Sequence, residues 1–392
     1  MTAVARSHVR PLYAAGFVTA FGAHGIAANL AQVTLGGTGS LLYLGLLLAL
    51  YDGAEVVLKP VFGSLADRVG ARPVLLGGLA MFAAASGAFA VAADTRWVWL
   101  ARLAQGASAS AFSPAAGSLV ARLTPAGGHG RAFGSYGSFK SIGYALGPVL
   151  GGVIVAIGGL RSLFAVMAVL AAVVAVWALA TVPVVPPLPR ARQTLADLAR
   201  RLADRSFLHP TAALAAATAA LSVGVGFLPV SGAAAGLGPV VTGAAVSLLA
   251  VTAALVQPQA GRALDAGRLR PWAGTAAGLG IAGAGLAVAM LPGPAAVLGA
   301  AVGIGCGTGL ITPLAFATLA GATPPERMGQ TMGAAELGRE LGDAGGPLLV
   351  GAIAVAGTLA LGYGALALLL IVVPLASVAG AAVRSVGGSV RS

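Results

Sequence analysis

Two short stretches of the sequence set ionisable side chains at helical spacing inside apolar runs. The first, LYDGAEVVLKPVFG, carries Asp52, Glu55 and Lys59; the second, AELGRELGDAGG, carries Glu336, Arg339, Glu340 and Asp343. At about 100° per residue, each set falls on one stripe of a helix. Carboxylates and cations held out of water can pair with one another, and a carboxylate left over can take up and release a proton. Arg102 and Lys140 lie in apolar runs as well. The acids Asp52, Glu55, Glu336, Glu340 and Asp343 then stand against the bases Lys59, Arg102, Lys140 and Arg339, and one acid lacks a base. Two chemistries fit this set: a proton carrier, or a static brace of ion pairs.

The elements that position these groups follow from composition. The chain is 58% hydrophobic and 9% charged, where soluble proteins average about 25% charged. Its mean hydropathy is +0.93. A bilayer core takes about 20 apolar residues per helix. Such stretches fall at 11–33, 40–63, 73–93, 97–120, 133–156, 162–183, 210–232, 238–260, 271–291, 294–320, 331–355 and 359–382. The expected fold is therefore an all-α membrane protein with twelve transmembrane helices. A charge inside such a helix costs about 2.5–3.5 kcal/mol at mid-membrane, so the two stripes should face protein or water rather than lipid.

The net charge of +12 does not point to nucleic acid, because 17 of the 23 Lys and Arg residues lie at the termini or in alternate loops. Only Arg96 and Arg161 fall in the opposite loops. This asymmetry places both termini in the cytoplasm of a bacterial-type inner (plasma) membrane, with lipid as the surrounding partner. The lone Cys306 excludes a disulfide and a cysteine-based metal site. GLGIAG, at Gly278, Gly280 and Gly283, matches a dinucleotide pattern but follows no strand, and it reads as helix packing. No Walker loop, catalytic triad or metal-spaced His cluster is present, so neither an enzyme, a cofactor nor a metal is expected.

The chain is also written twice. At a shift of 199 residues Ser113-Pro114 meets Thr312-Pro313, and Gly134, Gly143, Gly147, Pro148 and Gly152 meet Gly333, Gly342, Gly346, Pro347 and Gly351. At 198 residues Pro60, Gly63 and Asp67 meet Pro258, Gly261 and Asp265. Two six-helix pseudo-repeats follow, at 1–183 and 210–392, joined by a cytoplasmic linker at 184–209. In the linker Leu195, Leu198 and Leu202 share a face, which predicts an amphipathic helix on the anionic leaflet surface.

GSLADRVGAR, after the second apolar stretch, supplies Gly63, Asp67, Arg68, Gly70 and Arg72. It resembles the loop signature of the major facilitator superfamily, with Ala71 replacing one arginine, and GRALDAGR is a shortened second copy. RLAQGASAS (Arg102, Gln105, Gly106) is similar to a pattern of proton-coupled members. GYALGPVLGG (Gly143, Gly147, Pro148, Gly151, Gly152) is similar to the superfamily's antiporter motif, though its partial duplicate GDAGGPLLVG also allows plain packing. The resemblance implies the major facilitator fold, with helices 2 and 11 adjacent and antiparallel across the two halves, and helices 1, 4, 7 and 10 lining a cavity. Glu55 is then expected to face Arg339, and Lys59 to face Glu336 or Glu340. Lys59, Lys140 and Arg339 would make the inter-half network. Asp52, Glu55, Arg102, Glu336, Glu340 and Asp343 would serve proton coupling.

Substrate contacts are expected from His24, Asn29, Gln105, Thr308 and Thr312. The implied function is a monomeric antiporter exporting small organic or drug-like compounds against protons by alternating access. The alternative is a carrier of organic anions or metabolites with Arg102 and His24 as counter-charges.

Overall fold

The structure is a computed structural model that describes residues 3–35, 41–92, 97–189 and 203–372; side chains at 3–6, 31–35, 41–45, 48, 126, 239 and 240 are left out of account. Apolar runs rich in alanine, leucine and valine leave no backbone partner in lipid except their own, so the chain forms helix after helix. These are α1 (Ala3–Leu35), α2 (Leu41–Val69), α3 (Ala71–Ala92) and α4 (Val98–Leu123). The run His129–Thr181 breaks at Gly158 and Gly159, the latter at φ 70°, and so divides into α5 (129–157) and α6 (160–181). Then come α7 (Arg205–Ala234), α8 (Pro239–Asp265), α9 (Pro271–Val288), α10 (Pro294–Ala322), α11 (Met328–Ala356) and α12 (Leu359–Val372). Six of the helical runs are long and apolar enough to cross a membrane on their own. Among the described residues, α11 falls short by that measure because it carries an ionisable stripe.

Prolines interrupt the interiors of α2, α4, α5, α8, α10 and α11 without ending them. Membrane helices tolerate this because neighbouring helices satisfy the freed carbonyls. At the end of α2 the chain turns directly into α3 through Gly70, at φ 101°, a conformation in which a Cβ would be strained. Asp204 caps α7 by accepting from the Ser206 amide at 2.8 Å and from its hydroxyl, which holds the carboxyl below its ordinary range.

One apolar core lies within α1–α6 and another within α7–α12, with Phe316, Leu319, Met328 and Met332 joining the first. The end of α6 and the segment after it are strapped to the first half: Arg72 donates to the Leu179 carbonyl of α6 at 2.8 Å and Arg122 to the Pro186 carbonyl beyond it at 2.9 Å. The amphipathic helix expected around Leu195–Leu202 lies outside the described residues.

Candidate functional site

The two halves meet along two seams, α2 against α11 and α5 against α8. Both are tightest at the face carrying the GSLADRVGAR loop, here called the motif face. Asp67, at the end of α2, accepts from the Gly329 amide at 2.6 Å and the Gln330 amide at 2.8 Å, at the start of α11. Its repeat partner Asp265, at the end of α8, accepts from the Gly130 amide at 2.8 Å and the Arg131 amide at 2.9 Å, at the start of α5. A carboxylate on otherwise orphaned N–H groups at a helix N-terminus is favourable through both hydrogen bonding and the helix dipole. The internal repeat is therefore realised as two matching latches.

Glycine makes the approach possible. A Cβ on Gly63 would strike the Gly329 carbonyl, and one on Gly261 would strike the Gly130 carbonyl. Of the remaining loop residues, Arg68 is exposed, while Arg72 reaches back to α6.

Beyond the motif face the seams separate. There α5 turns onto α1, where Gly143, Gly147 and Gly151 lie against Phe17, Gly25 and Asn29, with Gly152 also near Asn29. In the second half α11 turns onto α7, where Gly342 and Gly346 lie against Ala215 and Ala219. The GYALGPVLGG glycines and their duplicates thus do the same job in each half: they let two helix backbones touch.

Where the halves begin to part, the ionisable stripes come together. Lys59 Nζ donates to Glu55 Oε2 at 2.8 Å, one turn back on its own helix, and across the seam to Glu340 Oε1. It also lies 3.6 Å from Glu336 Oε2. Glu336 is shared with Lys140 of α5 at 3.4 Å and with Arg339 at 3.3 Å. Lys59 is 1% exposed and Glu336 2%. Lys59 thus faces the α11 acids Glu336 and Glu340, as expected. The expected pairing of Glu55 with Arg339 does not form and is corrected: Glu55 pairs with Lys59 and Arg339 with Glu336. In both cases a partner on the same helix is nearer than one across the seam, and Glu before Lys at i,i+4 is the favoured order.

Asp52, Arg102 and Asp343 make no ion pair among the described residues. All three face a cavity of about 100 Å³ between α1, α2, α4, α5, α7 and α11. Arg102 is 1% exposed and lies over the Tyr51 ring, 4.2 Å from its centroid. His24 faces the same cavity; its Nδ1 donates to the Ala20 carbonyl at 3.0 Å and its ring contacts Tyr144.

The other side chains expected to contact substrate do not line this cavity. Gln105 is fully buried between α3 and α4, donating to Ser86 at 2.8 Å. Asn29 donates to the Gly25 carbonyl of its own helix at 2.7 Å and packs against α5. Thr308 and Thr312 bond their own helix and line an adjoining cavity of about 30 Å³, which shares Lys140, Tyr144, Thr218 and Arg339 with the larger one. Small polar side chains in lipid meet their hydrogen-bond needs within the bundle, and the sequence does not say which neighbour will do it. Tyr51 and Tyr144 were not anticipated; at Tyr51 the available signal was its i,i+4 spacing to Glu55 on the charged stripe. Behind the Asp265 latch the second seam is joined by neutral side chains: Gln257 donates to Ser141 and Ser138 to the Ala254 carbonyl, both at 2.7 Å. No group of three or more His, Cys, Asp or Glu residues that could hold a metal occurs among the described residues.

A two-fold repeated helical bundle with a polar cavity between its halves is the architecture of a membrane transporter rather than an enzyme. The chain belongs to the Major Facilitator Superfamily, whose family model matches residues 12–347. It is 32% identical over 123 residues to the quinolone resistance protein NorA of Staphylococcus aureus, a match covering 31% of each chain. It is 36% identical over 105 residues to the methylenomycin A resistance protein of Bacillus subtilis strain 168, covering 26% of this chain and 22% of that protein. These matches span about a third or less of the relatives' length. Among solved structures, the human organic anion transporter MFSD10 (TETRAN) superposes with TM-score 0.79 at 19% identity, covering 94% of this chain and 98% of that one. The E. coli fucose:proton symporter FucP superposes with TM-score 0.74 at 14% identity, covering 93% and 97%. At these identities the likeness is one of fold.

The latch geometry sets an expectation for Asp67→Asn. Asparagine keeps one acceptor but loses the charge and the second acceptor, far from the cavity. Turnover should fall while substrate affinity stays near the parent value, with the two measured separately in reconstituted vesicles. Lost affinity at unchanged turnover would refute a latch role.

Proposed function

We propose that this transporter exports small, partly apolar organic compounds across a bacterial-type inner membrane in exchange for protons, acting as a monomer by alternating access. The observation that carries the reading is the buried ion network of Lys59, Glu55, Glu336, Glu340, Lys140 and Arg339, which bridges the halves beside a cavity holding the unpaired carboxylates Asp52 and Asp343. Opening the motif face must break Lys59 from Glu340 and Glu336. A carboxylate that loses a buried cation is costly unless it is protonated or rehydrated. Proton uptake is thereby tied to the position of the halves. Arg102, on the same cavity wall as Asp52, is the one cation placed to answer that acid's charge or a substrate's.

The arginine-rich loops on the motif face support its assignment to the cytoplasm, and both termini with it. On that assignment the latched conformation is closed to the cytoplasm. The resistance activities in the names of the S. aureus and B. subtilis relatives support export of organic compounds.

The test is proton movement in inverted membrane vesicles holding an imposed pH gradient. Lipophilic amines should discharge the gradient when the chain is present, and Asp52→Asn with Asp343→Asn should abolish the response. Compound uptake that a protonophore leaves untouched would remove proton exchange. Uptake confined to organic anions would support the anion-carrier reading instead.

A further inference from the structure

The six networked side chains balance, with Lys59, Lys140 and Arg339 against Glu55, Glu336 and Glu340. What is left around the cavity is one cation, Arg102, and two acids, Asp52 and Asp343. Arg102 is also short of hydrogen bonds. Its Nε and Nη1 have no partner, nor do the Tyr51 hydroxyl and Glu55 Oε1, and all of these atoms are buried. Tyr51 is 1% exposed, Glu55 4% and Arg102 1%, and the three side chains line the same cavity wall. Buried polar groups are seldom left without partners, and these three side chains form one stretch of the cavity wall, where a polar guest that shifts them would supply the missing partners.

The chemistry of the guest follows from the atoms. Two guanidinium N–H groups beside a phenol O–H offer donors to an anion with several acceptor oxygens, and guanidinium suits a carboxylate. Glu55 Oε1 and the two unpaired aspartates offer only acceptors, which suits an ammonium. Arg102 stands on α4 and Asp343 on α11, so the two kinds of group come from opposite halves.

We propose that the cavity is a head-group site for zwitterionic compounds, in which Arg102 and Tyr51 take the substrate's carboxylate and Asp52 or Asp343 takes its ammonium. The site rests on the export reading above and narrows its substrate class. Whole-ligand pockets hold roughly 300–1,000 Å³, and this cavity holds about 100 Å³. It therefore fits the charged head, while an apolar body extends beyond it. One aspartate holds the ammonium, and the other stays available to a proton.

The test uses the purified full chain in lipid nanodiscs and three probes sharing one body. N-(naphthylmethyl)glycine carries both charges, its methyl ester only the ammonium, and its N-acetyl derivative only the carboxylate. The zwitterion should bind about tenfold tighter than either relative by calorimetry, as expected of one added charge-assisted contact. Arg102→Gln should bring the zwitterion down to the affinity of the ester and leave the ester unchanged, which also shows that the variant is folded. Arg102→Lys should recover part of the difference. The site is refuted if either single-charge probe matches the zwitterion, if none of the three binds, or if Arg102→Gln weakens all alike. A chain that exchanges protons in vesicles but fails this panel keeps the transport reading and loses the head-group site.

Discussion

Lys59→Met should destabilise the chain by about 3–5 kcal/mol, the range for removing one partner of a buried ion pair. Lys59 is 1% exposed and is the cation on which Glu55 and Glu340 both depend, so its loss strands two carboxylates and weakens the hold on a third, Glu336. Glu336 keeps Lys140 and Arg339. The expected rescue is therefore specific. Adding Glu55→Gln and Glu340→Gln to Lys59→Met removes the stranded charges, and neutral replacement of a whole buried network is often close to neutral in stability. Denaturant unfolding in detergent would compare the parent, single and triple variants. A triple variant as unstable as the single one would mean that the loss comes from packing around the lysine stem rather than from the charges.

Gly63→Val should hold the motif face apart. Its Cβ would strike the Gly329 carbonyl and lie 3.0 Å from the Gly333 Cα, where only backbone movement makes room. Overpacking costs about 1–3 kcal/mol, which, placed on one of two conformations, shifts their ratio by roughly 5–150-fold. Spin labels at Val69→Cys and Glu326→Cys, in a Cys306→Ala background, would report the separation of α2 from the start of α11. A population at longer distance is expected in Gly63→Val, with transport reduced accordingly. The same distance distribution in parent and variant would show that the seam absorbs the side chain without opening.

The helices and their repeat were legible in the sequence because each rests on periodicity, and the meeting of Lys59 with the α11 acids because the resemblance to the superfamily set helices 2 and 11 side by side. Apolar runs give spans, the 198- and 199-residue shifts give pseudo-symmetry, and charges three and four apart give stripes that must avoid lipid. Partner choice within a stripe was less legible. Glu55 can reach Lys59 or look across to Arg339, and side-chain length and helix separation decide, neither of which a sequence records. Gln105 and Asn29 failed as cavity residues for a related reason: each is satisfied by a neighbour, Ser86 on α3 and the Gly25 carbonyl, that nothing in the spacing singles out. Tyr51 was faint: beyond its i,i+4 spacing to Glu55, an aromatic ring in an apolar helix looks like any other packing residue until a guanidinium is seen to lie on it.

The two latches are alike, but the seams behind them are not: ions join α2 to α11, whereas Gln257, Ser138 and Ser141 join α8 to α5. On the export reading, both repeats carry the means of shutting the gate and only one carries charges whose pairing a proton can alter, so closure and energy transduction are separable. On the export reading, a variant whose α2–α11 seam is neutralised as a whole need not be a dead protein. It should become a facilitator, letting substrate run down its own gradient in either direction, indifferent to the membrane's proton-motive force. Uncoupling would then be a short mutational path for this chain, and selection on the charged seam would act to prevent leak as much as to preserve export.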